Sequence, residues 1–417
     1  MMITGDSPEL ALRALRLNVE LPALAWPWLY LVLLAAGLAT IAAGGRRPLG
    51  RVPRAAFLAW PLIALLAAFL LSAMFSRVPS QSLPAWLLVA GIVVFGWAMA
   101  RLLEDRALLD GVLTTMAVAV LLLAVRVIDW RLDEGLGAVS PQVLNNAWEG
   151  KLQLAWVFTL CAPLLLACSI GASRRWRAVL HGLAWAGAAT STVLLYSRMA
   201  VLVLAVTAAG QLLVNRAHWK RWIALVAGGA VAGLAIAGGR LDLGPFAPST
   251  LLDAERNPGI TIRLGAFRDA LRIFAVDPVT GAGLATFDEV VYALPDTTAE
   301  GAYRQNGWHA HNAFLHVLAE TGVVGLLAWS LLWLVLVVHL ARACHGAADA
   351  SLRLEAVAAL GVVTSFLLLS QTEVLVAARV VASLRMNLTI ALLVALAIGL
   401  GAGGRRAFTG SRSPFYS

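Results

Sequence analysis

The chain is short of charge and of polar surface, the two things a soluble protein of its size needs. Of its 417 residues only 13% are charged and 60% are hydrophobic, and the mean hydropathy is +0.81. Apolar runs of about 17 to 25 residues recur along it, the length at which a helix crosses a bilayer, so a soluble domain is excluded. A β-barrel is excluded as well, because its spans would be shorter and would alternate in polarity. Cysteine is scarce: Cys161, Cys168 and Cys344 all lie in or beside apolar spans. That leaves no disulfide framework for an outer domain and no zinc-binding spacing. No apolar core of signal-peptide length precedes Pro22, although Arg13 and Arg16 are present, so no cleaved signal is expected. A phosphate-binding glycine loop, a zinc motif and a serine nucleophile elbow are all missing, as are repeats and low-complexity tracts.

The net charge of +9 collects in short connections between apolar runs, which argues for topology and against a nucleic-acid partner. Apolar runs bounded by charges predict spans over residues 24–43, 55–75, 84–101, 107–127, 152–172, 178–196, 199–214, 222–238, 313–341, 354–372 and 385–403. The short loops carrying Arg46, Arg47, Arg51 and Arg54, then Arg101 and Arg106, then Arg174, Arg175 and Arg177, then Arg216, Lys220 and Arg221, and finally Arg405, Arg406 and Arg412, all face the cytoplasm by the positive-inside rule. Connections 129–151 and 239–312 then face outward. Eleven spans would put Met1 outside, against Arg13 and Arg16, so either a span is added or the first segment re-enters around Pro27. The expectation is an all-α polytopic integral membrane protein of about eleven to twelve transmembrane helices with one large outward loop between late spans. Residues 1–238 would hold the N-terminal transmembrane helices, 239–312 the loop with an amphipathic helix, and 313–417 the C-terminal helices and a short cytoplasmic tail.

The residues that carry chemistry gather on the outward side. Trp308-His309-Ala310-His311-Asn312 sits where the long polar segment runs back into an apolar span, and bilayer spans otherwise avoid such groups. With a helix starting at Asn312, His311 would lie against its N-terminus, where the dipole and unpaired backbone donors disfavour an imidazolium. His311 is thus a candidate general base or orienting acceptor, with His309 helping it or bonding the loop. His316 and Glu320, four apart, are expected to pair for structure, and Gly322 and Gly325 to permit close helix packing. Arg198 interrupts the apolar stretch from 178 to 214 at the outer leaflet, where a guanidinium costs about 3 kcal/mol unless it meets water or a partner. It is either a loop arginine between two tightly joined spans or a residue facing a polar cavity. Within the outward loop, Leu264, Phe267, Leu271 and Phe274 recur at helical spacing before Asp277-Pro278, Gly281 and Gly283 end the helix. This predicts a short amphipathic helix on the membrane surface, its Arg263, Arg268 and Arg272 either snorkelling to headgroups or binding substrate. Arg198 and Arg263 would both present forked donors suited to phosphate or pyrophosphate. An acidic metal set from Asp129, Asp133 and Glu134 reads better as a solvated loop, so no metal and no cofactor is expected.

These motifs resemble the O-antigen ligase family, within the superfamily that also holds O-antigen polymerases and protein O-oligosaccharyltransferases. That family's signature is His followed by Asn, Ser or Gln, nine residues, Gly, two residues and Gly. His311-Asn312, residues 313–321, Gly322 and Gly325 satisfy it without a gap. Ser197-Arg198-Met199-Ala200 resembles the family's membrane-proximal arginine, and Arg263 before Pro278, Gly281 and Gly283 its second one; the resemblance runs from about residue 145 to 345, and Asn145-Asn146, Glu149 and Lys151 match nothing cleanly. It implies a membrane glycosyltransferase of GT-C-like architecture in the bacterial inner membrane, working on the periplasmic face without metal. Its donor would be undecaprenyl-pyrophosphate-linked O-antigen and its acceptor the lipid A-core oligosaccharide, with membrane lipids around it. Catalysis would fall to His311, Arg198 and Arg263, and substrate binding to Arg198, Arg263, His309, Asn312 and Arg268. An O-antigen polymerase and, from another class, a small-molecule transporter are the alternatives.

Overall fold

The computed structural model describes residues 57–134, 151–214, 258–295, 309–347, 349–374 and 384–401, with a few positions between 219 and 227. Among them the chain is all helix, without a strand. Helices α1 (Ala59–Met74), α2 (Pro79–Leu102), α3 (Arg106–Glu134), α4 (Lys151–Gly171), α5 (Arg175–Leu194) and α6 (Arg198–Val214) precede the outward segment, which supplies α7 (Pro258–Val276) and α8 (Phe287–Tyr292). Then come α9 (Ala313–His345), α10 (Ala350–Leu369) and α11 (Leu384–Gly401). The predicted spans from 55 onward thus fall on helices wherever residues are described; the span over 24–43, nearly all of 222–238, residues 145–149 and Trp308 lie outside the described residues.

Five of these helices are long and apolar enough to cross a bilayer, and α1, α6 and much of α11 are shorter apolar helices of the same kind. The chain is an all-α polytopic membrane protein. Its exterior agrees: Ile63, Leu122, Leu183, Leu327 and Leu334 stand exposed, a liability in water and the expected surface in hydrocarbon. The interior is packed through small residues. Ala124 meets Gly187 across α3 and α5, and Pro163 meets Gly361 across α4 and α10, the close backbone approach that membrane helices use for dispersion contact.

The ends of the bundle differ in chemistry. At one end Arg106 pairs with Glu355 and Arg177 with Asp110, joining the starts of α3, α5 and α10. This is where the basic loops around 101–106 and 174–177 gather, together with the C-terminus of α9. At the other end lie the start of α9, the end of α10 and the outward segment.

Helix α9 is broken, which corrects the expectation for its glycines. Gly322 adopts φ 63°, ψ −167°, a region essentially closed to residues with a Cβ. Into the break fits the turn after α7: Ala282 and Gly283 N–H donate to the carbonyls of Ala319 and Glu320, and Val323 and Val324 N–H donate to those of Pro278 and Val279. A Cβ on Gly281 would overlap the Glu320 backbone, one on Gly322 the Val279 carbonyl, and one on Gly325 the Thr321 side chain. The two glycine motifs, some forty residues apart in sequence, are two halves of one lock. It satisfies backbone groups that a break at membrane depth would otherwise leave unpaired. The α1–α2 connection closes over it: Ser72 donates to the Glu320 carbonyl, Gln81 to Ala285 and Ser82 to Leu284, while Arg77 pairs with Asp277.

The amphipathic helix α7 has a small-residue side and a large-residue side. Its protein-facing side is Gly265, Ala266, Asp269, Ala270 and Ile273, packed with Phe287, Ala310 and Ala319. Leu264 and Leu271 stand exposed on the other side. Small residues let the helix sit close to α9, and the large ones are left for a lipid environment.

Candidate functional site

The site is built where α7, the start of α9 and the end of α10 meet. Asn312 caps α9, its side-chain oxygen accepting the N–H groups of Phe314 and Leu315. The helix therefore begins at Ala313 with Asn312 as cap. Just before it, His311 takes φ 48°, a left-handed conformation rare for a residue with a side chain. The turn is held by His309, whose Nδ1 accepts the His311 N–H at 3.1 Å. The two rings pack with centroids 4.1 Å apart. Burial and the neighbouring His311 push the His309 imidazole down to about 3, so its Nδ1 keeps the lone pair that this turn needs. Of the two roles open to His309, the geometry gives it the loop-bonding one.

The end of α10 supplies what the motifs did not contain. Four consecutive residues receive the site: the Ser370 carbonyl accepts Ala313 N–H at 2.8 Å, the Gln371 carbonyl accepts Asn312 Nδ2 at 3.1 Å, and the Thr372 carbonyl accepts Arg263 Nε at 3.4 Å. Glu373, with 7% of its side chain exposed, binds Arg263 through Oε1 at 2.9 Å and His311 Nδ1 through Oε2 at 3.2 Å. Burial works to raise this carboxyl, yet the hydrogen bond from His311 and the charges of His311, His309 and Arg263 together hold it below the usual carboxylate range. Glu373 is therefore an anion joining a guanidinium to an imidazole. In a neutral imidazole, an Nδ1–H donated to a carboxylate puts the lone pair on Nε2.

Arg198 opens α6 after a tight turn in which Tyr196 has φ 53°. The C-terminal end of α6 lies with Cys344, His345 and Arg353, at the far end of the bundle, so Arg198 is at the end that holds His311. It is half-buried and forms no hydrogen bond or ion pair with another described residue. Nearby, Arg131 at the end of α3 is 2% exposed and lies over the Tyr196 ring, 5.6 Å from its centroid. Arg268 follows Arg263 by five residues, about 140° around the helix, and is exposed on the side of Leu264 and Leu271. Arg263, His309, His311 and Asn312 are thus brought together, Arg198 shares their end, and Arg268 points elsewhere.

Residues 183–330 match the O-antigen ligase family, and they contain Arg198, Arg263, His311, Asn312 and both glycine motifs. The match covers about a third of the chain and supports membership of that family. The match places the protein among glycosyltransferase-like ligases and polymerases that act on lipid-linked polysaccharide. No curated protein matches the chain. Glu373 lies outside the matched residues. Its signal was present in the sequence all the same, as the polar run Ser370-Gln371-Thr372-Glu373 at the mouth of an apolar span.

The same cluster is the place a cation could occupy, since one ligand atom each from His309, His311 and Glu373 lies within 4.8 Å of the others. Sequence spacing gave no such set. Arg263 already neutralises Glu373 through Oε1 and His311 takes Oε2, so a metal ion would compete with the partners already there. Asp129, from the acidic set considered in sequence, pairs instead with Arg126 one turn away.

Proposed function

We propose that the protein is an O-antigen ligase, moving polysaccharide from undecaprenyl pyrophosphate to the lipid A-core oligosaccharide on the periplasmic face of the bacterial inner membrane. The observation that carries this reading is the juxtaposition of Arg263 and His311 on one carboxylate, with Arg198 at the same end of the bundle. A guanidinium and an imidazole held together suit a reaction in which a sugar hydroxyl attacks and a pyrophosphate leaves.

In the step itself, His311 Nε2 takes the proton from the acceptor hydroxyl as that oxygen bonds to the anomeric carbon. The bond from that carbon to the pyrophosphate oxygen breaks, and undecaprenyl pyrophosphate departs with the electron pair. Arg198 and Arg263 meet the negative charge that develops there with preorganised forked donors. Displacement from the opposite face inverts the anomeric carbon, and no metal is required. An apolar cavity among α1, α2, α9 and α11, lined by Leu65, Phe69, Ile92, Val317, Trp333 and Ile390, begins one turn inside Ala313 and suits a polyprenyl tail. A transporter would set its polar groups near the bilayer midplane in repeated halves, whereas Arg198, Arg263, His311 and Glu373 gather at one end of the bundle.

Gel analysis of lipopolysaccharide from a deletion strain tests the assignment. Loss of a ligase leaves core alone while lipid-linked polymer accumulates. Core carrying a single repeat unit would assign the protein as an O-antigen polymerase, and unchanged lipopolysaccharide would reject both.

A further inference from the structure

Three chain segments far apart in sequence meet at one carboxylate. Arg263 comes from α7, His311 from the turn before α9, and Glu373 from the turn after α10. We propose that Glu373 is a positioning residue for the transfer reaction, its ionised carboxylate fixing the His311 ring with Nε2 toward the acceptor while holding Arg263 beside it for the donor. This rests on the ligase reading and adds to it a residue outside the region that matches the family.

The reasons are geometric. Each carboxylate oxygen has a separate partner, Oε1 the guanidinium and Oε2 the imidazole. The side chain is nearly closed off from solvent, so it touches the reacting groups only through those two partners. His311 is in a left-handed turn, and such a conformation persists only where its surroundings over-determine it. Two bonds do so here, the backbone bond to His309 and the side-chain bond to Glu373. An anion on Nδ1 also stabilises the imidazolium formed when Nε2 accepts a proton, the role a buried carboxylate has behind a catalytic histidine. Among the described residues, the charged and titratable groups facing His311 include His309 on its own segment, Glu373 from the α10 end and Arg263 from α7.

The test compares Glu373→Gln, Glu373→Asp and the wild type as purified full-length proteins. Glu373→Gln keeps the shape and loses the charge. Its turnover should fall about 10- to 100-fold, the usual effect of removing the partner that orients a functional histidine, while the Michaelis constant for lipid-linked donor changes little. A second readout needs no transfer: carbethoxylation of His311 by diethyl pyrocarbonate, located by fragment-ion mass spectrometry and measured across pH. Without the carboxylate the modification profile should move to lower pH, and a purely structural role would leave it in place. Glu373→Asp, which keeps the charge one methylene back, should recover part of the turnover and most of the profile. Wild-type turnover or an unmoved profile in Glu373→Gln overturns the proposal. Should Glu373→Gln not accumulate in the membrane, Glu373→Asp is decisive, and an Asp variant equal to wild type in both readouts overturns it. A wild-type protein that transfers no polysaccharide rejects the ligase reading, and the carbethoxylation profile still tests Glu373.

Discussion

At the scale of single residues, His309 and His311 are two positions apart and have been given different work by their surroundings. The His309 ring accepts a backbone N–H and shapes the turn; the His311 ring faces Glu373. Replacing His311 with Ala should abolish transfer, because general-base assistance is worth about 10² to 10⁴ in rate. Donor affinity should persist, since the proposed holders of the pyrophosphate are the arginines. His309→Ala should cost less, through a loosened turn. The pH dependence separates the groups further. With His309 held at about 3 and Glu373 held below the usual carboxylate range, neither changes charge between about pH 5 and 7. The sign for Glu373 is that of a depressed acid: its link to Arg263 and His311 is intact at neutral pH and is lost only as pH falls through that lowered value. An acidic limb in the single-turnover rate between about pH 5 and 7 therefore belongs to neither of these two groups. His311→Ala should leave a residual rate without that limb, and a His311→Ala protein retaining more than roughly a tenth of wild-type turnover contradicts the general-base role.

At the scale of elements, the break in α9 and the turn after α7 fix how Arg263 stands relative to His311, because each is carried by one half of the lock. Gly322→Ala would place a Cβ against the Val279 carbonyl in a backbone region reserved for glycine. The expected outcome is a lower melting temperature in detergent together with loss of transfer, at a backbone cost on the order of 1 to 3 kcal/mol before any steric overlap. Gly111→Ala is the control. An added Cβ there meets nothing within 4 Å in the second turn of α3, so its melting temperature should hold or rise. Equal behaviour of the two variants would mean that the break does not carry the coupling of α7 to α9.

At the scale of the whole molecule, the two ends of the helical bundle differ: the Arg263–Glu373–His311 cluster sits at one, and the Arg106–Glu355 and Arg177–Asp110 pairs at the other. The outward cluster gathers cation-binding atoms from His309, His311 and Glu373, so metal dependence is a direct question to ask of it. Purified protein given lipid-linked donor and lipid A-core should transfer undiminished in excess chelator, with Arg263 supplying the positive charge on Glu373. Loss of activity that magnesium or zinc restores would mean instead that the cluster holds a working metal ion.

Helix lengths and the polarity of the two ends were legible in sequence because the bilayer acts on each span separately: about twenty apolar residues and flanking arginines suffice, with no reference to the rest of the chain. His311, Asn312 and Arg198 stood out for a related reason, since each is a polar group at a boundary where an isolated span would not keep one, while Arg263 stood out only as a basic residue on an amphipathic loop helix. Gly322 was visible as a motif, but its work was misread as helix packing, because a positive φ depends on what passes through the break. The side of α7 that faces the protein was not legible at all: hydrophobic period marks an apolar stripe without saying whether protein or lipid receives it. Glu373 became part of the site only through the fold. A carboxylate at the end of α10 means nothing to Arg263 and His311 until α7, α9 and α10 bring 110 and 62 residues of separation down to hydrogen-bond distance, and that approach is a property of the tertiary structure alone.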